Sequence, residues 1–156
     1  MHLLETENVG DLNGLLEILE DIGNTVDIAT LDDSLDEERT TLLNLLNDAE
    51  ALGFVDVLNG EVTLKPLGKK YVTSDVDKRK SILKGILANV EPFSSVIKSM
   101  RETRGTKMSR EELEDLTGEM FPSDDPESIL KIIMNWGRYA RLLDFDSDED
   151  EFSISP

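Results

Sequence analysis

Few residues in this chain could do chemistry, and their spacing fits no common reaction. His2 is the single histidine and stands at the very start, and there is no cysteine. A serine–histidine–acid triad therefore has no histidine placed to serve it. Disulfides, thiolate zinc sites and a cysteine nucleophile are excluded. Asp144, Asp146 and Asp148 alternate as they would in a calcium loop. Such a loop needs glycine at its sixth position and glutamate at its twelfth, and those places hold Glu149 and Ser155. A solvated hairpin turn is the expected reading. Glu111, Glu112, Glu114 and Asp115 cluster, and helix capping with a wet helix face accounts for them. Gly105-Thr106-Lys107 lacks the G-x-x-x-x-G-K-S/T spacing of a phosphate loop, and no such loop occurs elsewhere in the sequence. No catalytic, cofactor-binding or metal-ligating residue is assigned, and no enzymatic activity is expected.

What remains is chemistry of recognition. Lys65, Lys69, Lys70, Lys78, Arg79, Lys80 and Lys84 make the one basic run. They could hold a phosphate or meet an acidic neighbour, or they are ordinary exposed lysines beside compensating acids. Further on, Trp136 and Tyr139 flank Gly137 and Arg138. Trp136 lies on an apolar stripe and is expected in the core, whereas Arg138 and Tyr139 lie nearer the helix side. An exposed aromatic beside an arginine is a usual anchor of protein–protein contact. The partner-binding residues expected from sequence are Arg138, Tyr139, Lys69, Lys70, Arg79 and Lys80.

The elements that must position these residues are read from periodicity. Leu42, Leu45, Leu46, Ala49 and Leu52 recur at helical spacing, and Gly53 provides a C-terminal stop. A strand from Phe54 to Leu58 follows. Asn59-Gly60 predicts a two-residue hairpin turn, because both residues tolerate positive φ. That turn pairs Leu58 with Glu61, Val57 with Val62, Asp56 with Thr63 and Val55 with Leu64, placing the apolar residues on one face. Upstream, a polar tail is expected to about Gly10. A first helix then carries Leu12, Leu15, Leu16, Leu19 and Ile22, with Asp11 as its cap and a turn at Gly23-Asn24. A short strand and short helix are expected over Val26 to Leu31, and Asp33 or Ser34 starts the long third helix.

Pro66 ends the second strand, and Leu67 and Tyr71 tuck a short helical return beneath it. Ser74 caps the next helix, which carries Val76, Arg79, Leu83, Ile86, Leu87 and Val90 along one side. Pro92 starts another, with Phe93, Val96, Ile97 and Met100 inward and Gly105 at its close. Ser109-Arg110-Glu111-Glu112 is a capping box for a short helix that buries Leu113 and Leu116 and stops at Gly118. Asp125-Pro126 opens a last helix with Ile129, Ile132, Ile133, Trp136, Ala140 and Leu143 in line. Leu143–Asp146 and Phe152–Ile154 read as strands around an acidic turn. Both halves thus run through helices, a short helix, a longer helix and a hairpin. The expected fold is mainly α with small β-hairpins: tandem winged-helix units over residues 1–74 and 75–156.

Charge limits the partners. The 156 residues carry a formal net charge of −18. Residues 1–64 hold 16 acids and one base, Arg39, for a net −15; the remainder holds 18 acids and 15 bases, for a net −3. Free nucleic acid and anionic membranes are poor partners for such a surface. The acidity suits either a solvated surface, as in a salt-adapted organism, or a face that docks on a basic partner. A DNA-reading third helix presents arginine, lysine, asparagine or glutamine to base edges. In the first half that helix offers Asp36, Glu37, Glu38, Arg39, Asn44, Asn47, Asp48 and Glu50, which phosphates would repel. The second offers Lys131, Asn135, Arg138 and Arg141 beside an acidic wing. DNA is therefore the disfavoured partner. With no secretory leader and no apolar run of about 20 residues, a soluble, cytoplasmic protein without membrane insertion is expected.

LLEILEDIG (15–23), LLNDAEALGFVDVLNGEVTLKPLGKKY (45–71), DVDKRKSIL (75–83) and NWGRYARLLDFD (135–146) together resemble the AAA-associated C-terminal domain. That domain is appended to ATPase subunits of nitrate/sulfonate/taurine-type ABC transporters and also occurs free-standing in archaea. The resemblance covers nearly the whole chain. Its LGF-hairpin-PLG pattern is common among winged helices, and the WGRYA run is the more specific part. It implies a non-catalytic accessory or regulatory module whose partner is an ABC ATPase subunit or a second copy of itself, as a homodimer. No catalytic residues carry over. Lacking a phosphate loop, these residues would serve a transporter by association or be a relic of a different arrangement. The alternative is a winged-helix DNA-binding transcriptional regulator.

Overall fold

A computed structural model describes residues 2–23, 25–35, 38–103 and 105–156. Helix α1 (Val9–Ile22) leads to a short strand β1 (Thr25–Asp27), helix α2 (Ile28–Ser34), helix α3 (Arg39–Ala51) and the hairpin β2 (Val55–Leu58) and β3 (Glu61–Leu64). Two connecting helices follow, α4 (Pro66–Thr73) and α5 (Val76–Leu87). The first order of parts then recurs: α6 (Phe93–Glu102), β4 (Lys107–Ser109), α7 (Arg110–Met120), α8 (Pro126–Tyr139) and the hairpin β5 (Leu143–Asp146) and β6 (Glu151–Ile154). The chain is mainly helical, with two antiparallel three-stranded sheets ordered β1-β3-β2 and β4-β6-β5. In each, the short early strand pairs with the last strand of the hairpin.

The first hairpin has the register that its turn dictates: Val55 opposite Leu64, Asp56 opposite Thr63, Val57 opposite Val62 and Leu58 opposite Glu61. Asn59 and Gly60 have φ of 51° and 78°, the doubly positive pair of a type I′ turn. Val55, Val62 and Leu64 are buried while Asp56 is exposed. In the second hairpin Phe145 pairs with Phe152, their ring centroids 4.7 Å apart. Both hairpins lay an apolar face on one continuous cluster. That cluster draws Leu12, Leu15 and Leu16 from α1, Leu42 and Leu46 from α3, and Ile129, Ile133 and Trp136 from α8. Its breadth fits the sequence stripes, which turn an apolar residue inward every three or four positions.

Several boundaries differ from the sequence reading. Asn8, not Asp11, caps α1, its side chain accepting from the Gly10 amide; Asp11 lies in the first turn. Asp33 and Ser34 end α2 and do not start α3, which begins at Arg39 after Glu38. The run DDSLDEER offers several acids suited to a helix start, and only packing of Leu31 and Leu42 selects among them. Asn24, Asp36 and Glu37 lie outside the described residues. Asp75, not Ser74, caps α5, accepting from the Lys78 amide, and Val76 is 59% exposed rather than turned inward. Ile22 is likewise 43% exposed. Helix α6 ends before Gly105, at Glu102 with Thr103 as its C-cap, and α7 runs through Gly118 to Met120. Strand β4 had no local signal, since three residues show too little alternation to be read as a strand.

The expected polar tail is packed. Leu4 is 1% exposed and Thr6 8%. The Leu4 amide donates to the Glu91 carbonyl at 2.9 Å, and the Glu91 amide donates to the His2 carbonyl at 2.9 Å. Residues 2–8 form a strap that lies between the two halves.

Candidate partner-binding site

Helix α4 places Lys69 and Lys70 on the surface, because its opposite side is held down tightly. Gly68 faces the Phe54 carbonyl so closely that a Cβ there would stand 2.2 Å from the oxygen. Tyr71 is fully buried and stacks on Phe54 at 4.8 Å between centroids. Its hydroxyl donates to Asn13 Oδ1 at 2.7 Å, and Asn13 Nδ2 donates to the Tyr139 hydroxyl oxygen at 3.4 Å. Burial pushes the Tyr71 phenol well above the ordinary tyrosine range, and the neighbouring Tyr139 adds to the shift. Asn13 thus ties α4 to the last turn of α8.

Arg79 and Lys80 of α5 fill the same junction. Arg79 Nη1 lies 3.1 Å from Glu17 Oε1, Nη2 donates to the Val72 carbonyl at 2.6 Å, and the guanidinium carbon is 5.6 Å from the Tyr71 ring centre. With its side chain only 15% exposed, Arg79 braces α5 against α1 and α4. Lys80 Nζ stands 5.1 Å from the Tyr139 ring centre, a cation–π contact. Tyr139 is half-buried, and Arg138 beside it is exposed, its Nη1 4.0 Å from Met134 Sδ. The six residues singled out from sequence therefore separate. Lys69, Lys70 and Arg138 are open to a partner, while Arg79, Lys80 and Tyr139 join helices of this chain to one another.

The polar side of α8 is largely occupied. Asn135 Nδ2 donates to the Glu7 carbonyl at 2.9 Å, Ser128 Oγ donates to Glu7 Oε2 at 2.8 Å, and Lys131 Nζ lies 3.8 Å from Glu7 Oε1. Arg141, expected on this helix, stands two residues past its end, and its Nη2 lies 2.9 Å from Asp77 Oδ1. Of the four residues expected there of a DNA-reading helix, Arg138 alone has no such partner among the described residues.

Sequence reasoning missed the group around Asp48, which is 0% exposed. Its carboxylate accepts from the Glu5 amide at 3.0 and 3.1 Å and from the Thr6 amide at 2.6 Å, and His2 Nε2 lies 2.7 Å away. Across the strap, Trp136 Nε1 donates to the Thr6 carbonyl at 2.8 Å. A signal was present: Asp48 stands three residues after Leu45 and four before Leu52, on the buried side of the α3 stripe. The acidic clusters have local tasks. Asp146 Oδ1 accepts from the Asp148 and Glu149 amides at 3.0 and 3.3 Å, closing the hairpin turn. Ser109 and Glu112 form the capping box of α7.

A family model described as the C-terminal AAA-associated domain matches residues 29–146, from within α2 to the end of β5. No curated protein matches the chain, and no solved structure does.

Proposed function

The chain belongs to the family of C-terminal AAA-associated domains, and from that premise we propose that it is a non-catalytic accessory module that regulates the ATPase of an ABC-type transporter by binding it. The family membership is the observation that carries this reading. No phosphate loop lies in these 156 residues, so nucleotide chemistry belongs to a partner or an adjoining domain. Each half is taken as a winged-helix unit, the first over 1–74 and the second over 75–156. The twice-repeated order of helix, strand, two helices and hairpin supports this. No helix among the described residues is long and apolar enough to cross a membrane. The module acts in the cytoplasm, where the nucleotide-binding subunits of such transporters work.

The docking residues proposed are Lys69, Lys70 and Arg138, which are exposed, with Tyr139 as the adjoining aromatic. The test is co-purification with a nitrate/sulfonate/taurine-type ATPase subunit and measurement of its ATP turnover with and without this protein. A complex is expected, together with a change in turnover and roughly tenfold weaker binding for Arg138→Glu, since like charges brought face to face are strongly unfavourable. No complex and no change in turnover, at both low and high salt, would sink the proposal. A mobility shift on promoter DNA that weakens as salt rises would replace it with the regulator reading.

A further inference from the structure

A second surface has a different character. Helices α5 and α6 and the ends of the second hairpin enclose a groove of about 570 Å³. Its walls carry Lys84, Lys98 and Arg101, with Glu102 the one acid; Ile154 is half-buried at its edge, and Ile97 and Leu142 lie beneath it in the core. Lys84, Lys98 and Arg101 make no ion pair among the described residues. By contrast Arg79, Arg110 and Arg141 each meet a carboxylate, at 3.1, 3.0 and 2.9 Å. A chain with 34 acids thus leaves three cations without carboxylate partners, among the described residues, around one concave site. Ser155 Oγ, buried and without a hydrogen-bond partner among the described residues, belongs to the same lining.

We propose that this groove docks an acidic peptide segment of a partner protein, its carboxylates meeting Lys84, Lys98 and Arg101. Charge complementarity selects the sign of the ligand. Three cations on two helices around a groove of this size match several carboxylates carried on one segment rather than a single small anion. Nucleic acid is opposed by the net charge of −18, because an extended polyphosphate reaching beyond the groove meets acids. The groove is distinct from Lys69, Lys70 and Arg138, and the proposal holds whether or not the partner is an ATPase.

The test uses the full chain and labelled synthetic peptides in which glutamate alternates with leucine, either at every second position or at helical spacing. Binding is read by fluorescence anisotropy and mapped by amide chemical shifts. At least one acidic peptide is expected to bind, with shifts at Lys84, Ile97, Lys98, Arg101 and Leu142, and with affinity falling as salt rises. Lys98→Glu with Arg101→Glu should weaken it on the order of tenfold or more; both positions are exposed, and circular dichroism checks the fold. Binding by none of the peptides would overturn the proposal. So would shifts that map elsewhere, affinity indifferent to the double reversal, or tighter binding of a single-stranded oligonucleotide at the same residues.

Discussion

At the scale of single residues, the interior is most sensitive where a polar group is buried with its partners. Asp48 is the acceptor for two strap amides and lies against His2. Asp48→Ala would strand the Thr6 amide in the interior, and the expected loss is about 2–4 kcal/mol. Asp48→Asn keeps one acceptor oxygen and should lose less. Urea denaturation of both variants checks the order, and equal stability of Asp48→Ala and the unaltered chain would refute the role assigned to this carboxylate. Tyr71 gives a pH dependence of definite sign. Its phenol keeps its proton in the fold at pH values where an unfolded chain gives it up. Its contribution is therefore full below about pH 10 and is lost as pH rises beyond that. Melting temperatures measured through the alkaline range should fall less steeply for Tyr71→Phe. Asp27 works in the opposite direction: the Thr30 hydroxyl and amide hold its carboxyl below the usual aspartate value, so the cap it gives α2 weakens in acid.

At the scale of elements, local chemistry decides most starts and turns, and close packing decides how elements meet. Ser109→Ala removes one half of the α7 capping box and should cost about 1 kcal/mol, read as a lower melting temperature with the fold retained. Gly68 is a harsher case. A methyl there would drive into the Phe54 carbonyl and the Leu64 side chain, with contacts of 2.2 and 2.8 Å. Gly68→Ala should cost about 3 kcal/mol or more, or leave the chain unfolded at room temperature. A melting temperature within a degree of the parent would show that α4 can shift away from β3. The Asn59-Gly60 hairpin was legible because the turn alone fixes its register. The start of α3 was not, because capping signals in an acid-rich run are redundant until Leu31 and Leu42 find their places in the core.

At the scale of the whole molecule, the strap is one of the features that join the halves. It links Asp48 of α3 to Trp136 of α8 through Thr6. Trp136→Phe keeps an aromatic in the core but removes the donor to the Thr6 carbonyl. Faster amide exchange at Glu5 and Thr6, beyond any global loss of stability, is the expected result; unchanged exchange would mean the strap is held without it. The charge of −18 acts over the same scale. Raising sodium chloride from about 0.01 M to about 1 M shortens the screening length from about 30 Å to about 3 Å, so self-repulsion weakens and the melting temperature should rise by several degrees. A flat or falling curve would mean that the acids are already compensated by their neighbours.

Apart from Ile22 and Val76, which are exposed, the apolar face of the main helices, the place where the two hairpins turn and what pairs across the first of them were determined by the sequence, because those features depend on residues within a few positions of one another. So was the family, through runs such as NWGRYARLLDFD. The tertiary structure alone decided that Arg79 braces Glu17, that the first residues form a strap and that Asp48 is its anchor. Those contacts join positions 62, 130 and 42 apart in the chain. No local pattern encodes such a meeting; it exists only once the apolar stripes have brought the helices together.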